Sequence, residues 1–317
     1  LGAHIDSPRI DLKQNPLYEE DGLAYLDTQY YGGIKKYQWV ALPLAMHGVI
    51  VRIDGSVLNV SIGENEDDPV FCISDLLPHL ADEQLKKNGE TLIEGEALNL
   101  IIGGYPLPDT EKEPVKASIV KLLKEKYGVE EEDFLSAELE LVPAGKSRDM
   151  GLDGSMILGY GHDDRVCAYP SARAILDYTG TPERTLCAVL TDKEEIGSVG
   201  ATGMRSHYFE NIVSELYHCV GEYSEFGVKQ ALANSRMLSS DVSAAFDPNF
   251  ASAFEKKNAA YLGCGVCFNK YTGGSGKHGS SDANAEFIGA LRGIMQANDV
   301  TYQFSELGRV DLGGGGT

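Results

Sequence analysis

The sequence predicts an α/β fold in which a mixed sheet with flanking helices is interrupted by a β-rich region. From about residue 150 onward, short apolar segments alternate with longer segments of helical periodicity, the pattern of an α/β layer. Between residues 12 and 141, strand-like segments dominate and one helical segment occurs. The length of 317 residues agrees with about two domains. We therefore predict a predominantly β region followed by an α/β region.

The strands of the first half are predicted from alternating apolar residues. "GAHIDSPRIDL" at the start predicts one strand, and "GVIVRIDGSVLNVSIG" predicts a hairpin. The hairpin turn is placed at Asp54-Gly55, because this dipeptide favours a tight turn between two strands. "ALNLIIG" and "AELELVPA" predict two further strands.

One helix is predicted within the β-rich region, at "PVKASIVKLLKEKYGV". Val115, Ile119 and Leu122 recur at the spacing of a single helical face. Pro114 is favourable at a first helical position and Gly128 at a helix end.

The second half predicts helices and strands in alternation. The predicted elements, in chain order, are "RVCAYPSARAILDYTG" (helix), "TLCAVLTD" (strand), "GMRSHYFENIVSELYHCVG" (helix), "RMLSSDVSAAF" (strand), "AAYLGCGVCFNKY" (strand), "DANAEFIGALRGIMQAND" (helix) and "TYQFSEL" (strand). Ligands of open α/β sheets bind beyond the carboxyl ends of strands. Acidic clusters follow two of these strands, so we expect a site there.

Composition excludes several classes of partner. The chain has 48 acidic and 27 basic residues and a formal charge of −21, which opposes binding to nucleic acid and to anionic membranes. No apolar run reaches the roughly 18 residues of a membrane span, and the start lacks the pattern of a signal peptide. The six cysteines lie mostly among apolar neighbours, so we expect reduced, buried thiols in a cytoplasmic protein.

Glycine-rich and cysteine motifs give no cofactor site. "CGVC" at Cys264 and Cys267 has no second pair to complete a zinc site, and its neighbours alternate like a strand. "GGSGKHGSS" at 273–281 lacks the spacing of a phosphate-binding loop and is expected to be a flexible loop. "LGGGGT" at the end is not followed by a helix, so no nucleotide cofactor is predicted.

Two acidic motifs flank predicted elements. His4 and Asp6 are two residues apart, so on a strand both side chains leave the same face, as in a metal-binding histidine held by a carboxylate; a purely structural pair is the alternative. Asp163 and Asp164 precede a helix, where a carboxylate could cap the helix or bind a cation.

Two more carboxylate groups lie next to apolar strands. "TLCAVLTDKEEIG" ends in Glu194 and Glu195, and Asp241 lies in the small, apolar stretch "SSDVSAAF". A carboxylate near apolar surroundings is costly without a cation, proton or hydrogen bond, although a solvated turn would explain each case separately. One centre with two metal ions would explain all four motifs: carboxylates bind and bridge the ions, and an unligated neighbour accepts a proton from water.

The ordered motifs resemble a known family. "AHIDSPR", "YYGGIKKYQW", "GHDDR", "TDKEEIGSVGATG", "SSDVSAAFDPN" and "VDLGGGGT" are similar, in order and spacing, to those of the M18 aspartyl aminopeptidases over nearly the whole chain. The resemblance implies a zinc-peptidase catalytic domain, residues 1–11 and 142–317, interrupted by a dimerisation domain, residues 12–141. It also implies a cytoplasmic homo-oligomer built from dimers, a tetrahedral dodecamer.

The resemblance implies a role for each site residue. His4, Asp163, Glu195 and Asp241 are implied to bind two divalent ions, most simply zinc with cobalt or manganese as alternatives, and Asp163 is implied to bridge them. Glu194 is implied to be the general base and Asp6 to support His4, while Asp164 is placed in a turn. His79 matches a histidine that reaches a neighbouring subunit's active site, and Lys270 matches a lysine associated with an acidic substrate side chain.

The chain departs from the family pattern at both ends. It has only three residues before His4, and no later histidine replaces the final metal-binding histidine of the family. We therefore expect a truncated chain in which the ion held by Asp163 and Glu195 lacks one ligand.

The predicted function is removal of N-terminal, acidic residues from peptides by a metal-activated water. Two alternatives stay open on the sequence alone. The metal chemistry also suits another dinuclear hydrolase, a deacylase or carboxypeptidase, and the same fold could serve as a non-catalytic assembly protein.

Overall fold

The structure, a computed structural model, describes residues 1–272, 276–280 and 282–313. The chain forms two compact units: one is Ser7–Tyr160, and the other combines Leu1–Asp6 with Gly161–Thr317. The predicted boundaries at residues 12 and 141 therefore lie inside the first unit, because its strands begin earlier and a further hairpin continues it. The first strand, β1 (Gly2–His4), belongs to the second unit.

The Ser7–Tyr160 unit is built on a six-stranded antiparallel sheet. Its strands are β2 (Arg9–Glu20), β3 (Leu23–Tyr31), β4 (Leu44–Val51), β5 (Val57–Ile62), β6 (Leu100–Gly103) and β7 (Ala137–Pro143), in the spatial order β5-β4-β7-β2-β3-β6. A separate hairpin pairs β8 (Arg148–Met150) with β9 (Met156–Leu158). The core of the unit lies on the sheet, where Ile10, Leu44 and Leu141 are fully buried.

The predicted hairpin between β4 and β5 is confirmed. Val51 pairs with Val57 across a short turn, and the Gly55 N–H donates to the carbonyl of Arg52. Gly55 has a φ of 83°, a left-handed conformation that glycine adopts without a Cβ penalty. The Asp-Gly pair thus determines this turn through its second residue.

The helix predicted in this unit is also confirmed. Helix α1 (Pro114–Leu122) continues as one π-helical segment, Leu123–Tyr127, and ends at Gly128, which has a φ of 66°. The Glu19 carboxylate accepts the backbone N–H groups of Val115 and Lys116 at 2.8 and 2.9 Å, which satisfies two free donors of the first turn.

The N-terminal segment predicted as one strand forms two. β1 pairs in parallel with β10 (Val189–Thr191), whereas β2 pairs with antiparallel neighbours in the other unit. Pro8 lies between them and has no N–H for a strand ladder. The break places Asp6 in a connecting segment.

The second unit is mixed α/β, as predicted. Its helices are α2 (His162–Leu176), α3 (Tyr208–Cys219), α4 (Glu225–Ala233) and α5 (Ala285–Ala297), and its remaining strands are β11 (Val266–Asn269) and β12 (Tyr302–Ser305). β11 and β12 are parallel. The sequence prediction missed α4, whose N-cap is the Ser224 hydroxyl accepting the Gly227 N–H.

The strand predicted at "RMLSSDVSAAF" is wrong. In this segment the structure has two isolated bridges, Gly2 with Ser239 and Ala245 with Ala260. Serine and aspartate bond locally to the backbone and compete with a strand ladder, as when the Asp241 carboxylate accepts the N–H of Val242 at 2.7 Å. Asp241 is therefore carried by an irregular segment.

All six cysteines are free, as predicted, but only three are even partly buried. Cys187, Cys219 and Cys264 are exposed, so the prediction of buried thiols is wrong for them. Cys187 and Cys264 lie outside the short strands that form near them, which removes the reason to bury them.

Two predictions fall partly outside the described residues. The loop expected at 273–281 includes 273–275 and 281, and the glycine run at the end includes 314–317; neither set is described. Among the residues the structure does describe, no helix is long and apolar enough to cross a membrane.

Candidate metal centre

His4 lies at the end of β1, beside the end of β10. The two parallel strands are in register, with His4 opposite Thr191, and the Ile5 N–H donates to the Thr191 carbonyl at 2.8 Å. Parallel strands end at the same edge of a sheet, so the acidic segment after β10 lies next to His4. The His4 side chain is only 1% exposed.

Asp6 links His4 to the Glu194-Glu195 segment. Its Oδ1 accepts the Glu194 N–H at 3.1 Å and its Oδ2 accepts the Glu195 N–H at 3.2 Å. His4 Nδ1 lies 2.9 Å from the Asp6 carbonyl oxygen and 3.3 Å from Asp6 Oδ1. A carbonyl oxygen only accepts, so this contact assigns a proton to Nδ1, and Nε2 is the nitrogen that could bind a metal ion after losing its own proton.

Carboxylates surround the Nε2 atom of His4. Asp163 Oδ1 lies 2.9 Å from it, Asp241 Oδ1 3.8 Å and Glu194 Oε2 4.0 Å. Two sets of three side chains bring one possible ligand atom each within 4.8 Å of one another: His4, Asp163 and Glu195, and His4, Asp164 and Asp241. His4 belongs to both sets.

Asp164, which the family resemblance assigns to a turn, lies beside His4. Its side chain is fully buried and its Oδ2 accepts the His4 N–H at 3.4 Å. Asp163 and Asp164 have non-helical backbone angles at the start of α2, which turns both carboxylates away from ordinary capping. The available signal was the doubled aspartate itself, since a helix start needs only one capping carboxylate.

The pKa values in the cluster reflect crowded negative charge. Burial acts to lower the pKa of His4, but hydrogen bonds with Asp163, Asp241 and Asp6 outweigh burial and raise it. Burial, reinforced by Asp163, raises the pKa of Glu195 to about 7. Burial also raises the pKa values of Glu194 and Asp164. A single imidazole does not balance this many carboxylates.

The residues fit zinc ions. Among the described side chains, Asp164 Oδ1 and Glu195 Oε1 are buried oxygens with no hydrogen-bond donor. A buried acceptor without a donor costs about 1 to 3 kcal/mol, more when charged, and a bound cation removes this cost. Imidazole nitrogen together with carboxylate oxygen is a donor set that zinc accepts.

Glu194 and Glu195 differ in position although they are adjacent. They share a short 3-10 turn, Glu194–Ile196, which starts after Lys193 in a left-handed conformation with φ 65°. Glu195 belongs to a possible ligand set, whereas Glu194 belongs to neither. Asp192, the third carboxylate of the segment, contacts the Lys193 ammonium at 2.8 Å and lies outside both sets.

His79 and Lys270 are not brought into this cluster by any described contact. His79 lies in the short helical turn Pro78–Leu80 of the other unit, with an exposed side chain. Lys270 follows β11 and is also exposed, and its backbone carbonyl accepts the Ala283 N–H at 2.8 Å. Their suggested roles toward substrate stay predictions.

Comparison with known proteins gives matches over the full chain. The family model described as "Aminopeptidase I zinc metalloprotease (M18)" matches residues 1–317. A probable M18 family aminopeptidase 1 from Clostridium acetobutylicum is 60% identical over 318 residues, covering 100% of this chain and 68% of that protein.

Solved structures agree with the sequence comparison. The M18 aminopeptidase crystal structure from Thermotoga maritima has a TM-score of 0.95 at 44% identity, covering 100% of this chain and 70% of that one. Aminopeptidase I from Clostridium acetobutylicum has a TM-score of 0.93 at 58% identity, covering 100% and 68%. The S. cerevisiae mApe1 dodecamer is 18% identical with a TM-score of 0.69, and the match covers 98% of this chain and 68% of that one. At this identity the match shows a shared fold alone.

Proposed function

The chain belongs to the M18 family of zinc metalloaminopeptidases, hydrolases that act on peptides, and from this premise we propose that it removes acidic N-terminal residues at a two-ion centre. The observation that carries the proposal is the sharing of His4 between two possible ligand sets, one with Asp163 and Glu195, the other with Asp164 and Asp241. His4 has one nitrogen available, Nε2, and can bind one ion only; the two different carboxylate pairs beside it, Asp163 with Glu195 and Asp164 with Asp241, support a second ion next to the first.

The proposed ligands are His4, Asp163, Glu195 and Asp241, with Asp163 between the ions. Two observations support this role: Asp163 Oδ1 lies 2.9 Å from His4 Nε2, and Asp163 shares a ligand set with Glu195. When bound, zinc polarises the scissile carbonyl and lowers the pKa of water toward about 7. Asp6 keeps the His4 ring oriented through Nδ1, which leaves Nε2 for binding.

Glu194 is the proposed general base. Its carboxylate lies 4.0 Å from His4 Nε2 and burial raises its pKa, which suits a group that accepts a proton from water and returns it to the leaving amine. The Asp6 bonds to the backbone of Glu194 and Glu195 hold the two side chains in fixed relation. One carboxylate can therefore bind metal while its neighbour moves a proton.

Selection of acidic residues requires a local cation. With a net charge of −21 the protein repels acidic peptides at long range, so the preference has to come from a positive group beside the bound side chain. Lys270, and His79 supplied by a neighbouring subunit, are the proposed groups. We also propose a cytoplasmic homo-oligomer built from dimers, a tetrahedral dodecamer; the yeast protein in the comparison is described as a dodecamer.

A peptide panel tests the proposed function. The zinc-loaded full-length protein should hydrolyse Asp- and Glu-terminated peptides faster than Ala-, Leu- or Lys-terminated ones, and N-acetylation should abolish cleavage. Equal rates across the panel would reject the acidic preference, while cleavage of N-acetylated peptides would reject recognition of the amino terminus. Static light scattering on the same sample tests the oligomer, which a monomer would refute.

A further inference from the structure

The Ser7–Tyr160 unit has a cavity of about 470 Å³, open to solvent, between its six-stranded sheet and helix α1. Nearly all of its lining residues are apolar. Its volume and apolar lining are those of small-molecule sites.

The cavity has a buried floor and is open to solvent. Ile50 on β4 and Leu139 on β7, 2% and 4% exposed, form the floor. Val60 on β5 and Ile119 on α1 line the sides and pack against the core without filling the space. The lining residue Val70, at 53%, is exposed at one end, and Lys126 is exposed as well.

The charged side chain that lines the cavity is a cation, at the end beside the β4–β5 turn, where Arg52 donates to the carbonyls of Tyr127 and Gly128. Lys126 is the one charged residue that lines the cavity in this fully described part of the chain. The other lysines nearby have carboxylate partners: Lys116 with Glu131 at 2.7 Å, Lys121 with Glu125 at 3.9 Å and Lys124 with Glu130 at 2.8 Å. Lys126 has no carboxylate within 4 Å among the described residues, and its ammonium lies 5.1 Å from the centre of the Tyr127 ring.

We propose that this cavity binds a single-chain aliphatic carboxylate, with the hydrocarbon chain inside and the carboxylate on Lys126. The apolar lining accepts a chain and offers few groups that could pair with a polar one. Lys126 selects an anionic head, and because Lys126 is itself exposed, that head stays in contact with water. The overall charge of −21 opposes this weakly, because charges beyond about 8 to 10 Å are largely screened at physiological salt.

A second copy of the chain is the other possible occupant. The exposed residues of β5, the edge strand next to the cavity, are Val57, Asn59 and Ser61, and none of them supplies an acid for Lys126. An apolar insertion from a partner would therefore leave the charge of Lys126 unmatched. The inference depends on this unit alone and is independent of the proposed peptidase activity.

Calorimetric titration of the full chain tests the proposal. Decanoate, kept below its micelle concentration, should bind with one site per chain, and octanoate should bind more weakly by roughly fourfold for each methylene removed. Decanol and decyltrimethylammonium should bind at least tenfold more weakly than decanoate, since each lacks the carboxylate. Lys126→Gln should weaken decanoate binding by roughly tenfold or more, and Lys124→Gln, the matched control on the same helical segment, should leave it unchanged.

A second pair of variants tests whether the hydrocarbon chain of decanoate lies inside the cavity. Val60→Phe fills the cavity and should abolish decanoate binding, whereas Val57→Phe, on the opposite face of β5, should not. If circular dichroism shows that Val60→Phe does not fold, the comparison of Lys126→Gln with Lys124→Gln tests the proposal instead. Absence of saturable decanoate binding overturns the proposal, and so does decanol binding as tightly as decanoate with no effect of Lys126→Gln. A dimer that dissociates only in Val60→Phe, without decanoate binding, would assign the cavity to a second copy and also overturn it.

Discussion

Replacing Asp6 with Asn tests how the centre is held together. The Asp6 carboxylate accepts two backbone N–H groups, from Glu194 at 3.1 Å and Glu195 at 3.2 Å, one on each oxygen. An asparagine has one acceptor oxygen, and its amide nitrogen would face the other N–H as a second donor. One part-buried donor therefore loses its partner.

The loss of one hydrogen-bond acceptor sets the expected destabilisation of Asp6→Asn. A donor left unsatisfied costs about 1 to 3 kcal/mol, which should appear as reduced unfolding free energy of the metal-free protein. Removing the Asp6 charge also relieves repulsion on Glu194 and Glu195, but burial is the larger cause of the raised pKa of both, so relief is the smaller effect. Metal affinity should fall by roughly 10- to 100-fold, because His4 loses the carboxylate 3.3 Å from its Nδ1 and the backbone of Glu194 and Glu195 is held less firmly, although the Asp6 carbonyl contact to Nδ1 remains.

Two assays measure these effects. Urea unfolding in a chelator gives the unfolding free energy, and competition with a coloured zinc chelator gives the affinity. Asp192→Asn is the matched control, since Asp192 contacts Lys193 and lies outside both ligand sets. Unchanged zinc affinity in Asp6→Asn, or an equal loss in Asp192→Asn, would refute the assigned role.

Two further changes have definite expected results. Glu194→Gln should lower turnover by roughly 10²- to 10⁴-fold with its zinc content retained. Glu195→Gln should lose zinc and recover part of its activity when zinc is added. Mass spectrometry measures the bound zinc, and zinc loss in Glu194→Gln with zinc retained in Glu195→Gln would mean that the two roles are reversed. Gly48→Ala should destabilise the Ser7–Tyr160 unit by more than about 2 kcal/mol, because φ is 135° and the new Cβ would approach the Glu138 carbonyl oxygen. Gly89→Ala, in open space, is its control, and equal melting temperatures for both variants would show that the clash is absent.

Local sequence signals were sufficient where a structure depends on neighbouring residues. The turn at Gly55 and the helix from Pro114 to Gly128 follow from residue types a few positions apart, and both were predicted. Asp241 was assigned to a strand because its neighbours are small and apolar. Serine and aspartate bonding to the local backbone overrides that pattern.

The sequence predicts one centre that brings the motif residues together, but it does not predict that Asp164 is buried beside His4. His4, Asp163 and Asp241 were named from their motifs, and the structure brings them together around Nε2 of His4. The burial of Asp164 depends on the pairing of distant segments, which spacing in the sequence does not encode. For the same reason the apolar cavity was not predicted, since its walls come from strands far apart in the chain.

The most direct test of the two-ion centre is a crystal structure of the zinc-loaded full-length protein with anomalous data at the zinc edge. Two peaks are expected, about 3.5 to 4 Å apart, on either side of the Asp163 carboxylate. His4 Nε2 should lie about 2.0 to 2.1 Å from one peak, and a Glu195 oxygen about 2.0 to 2.2 Å from the other. A single peak in fully zinc-loaded crystals, or two peaks that do not contact these side chains, would contradict the account.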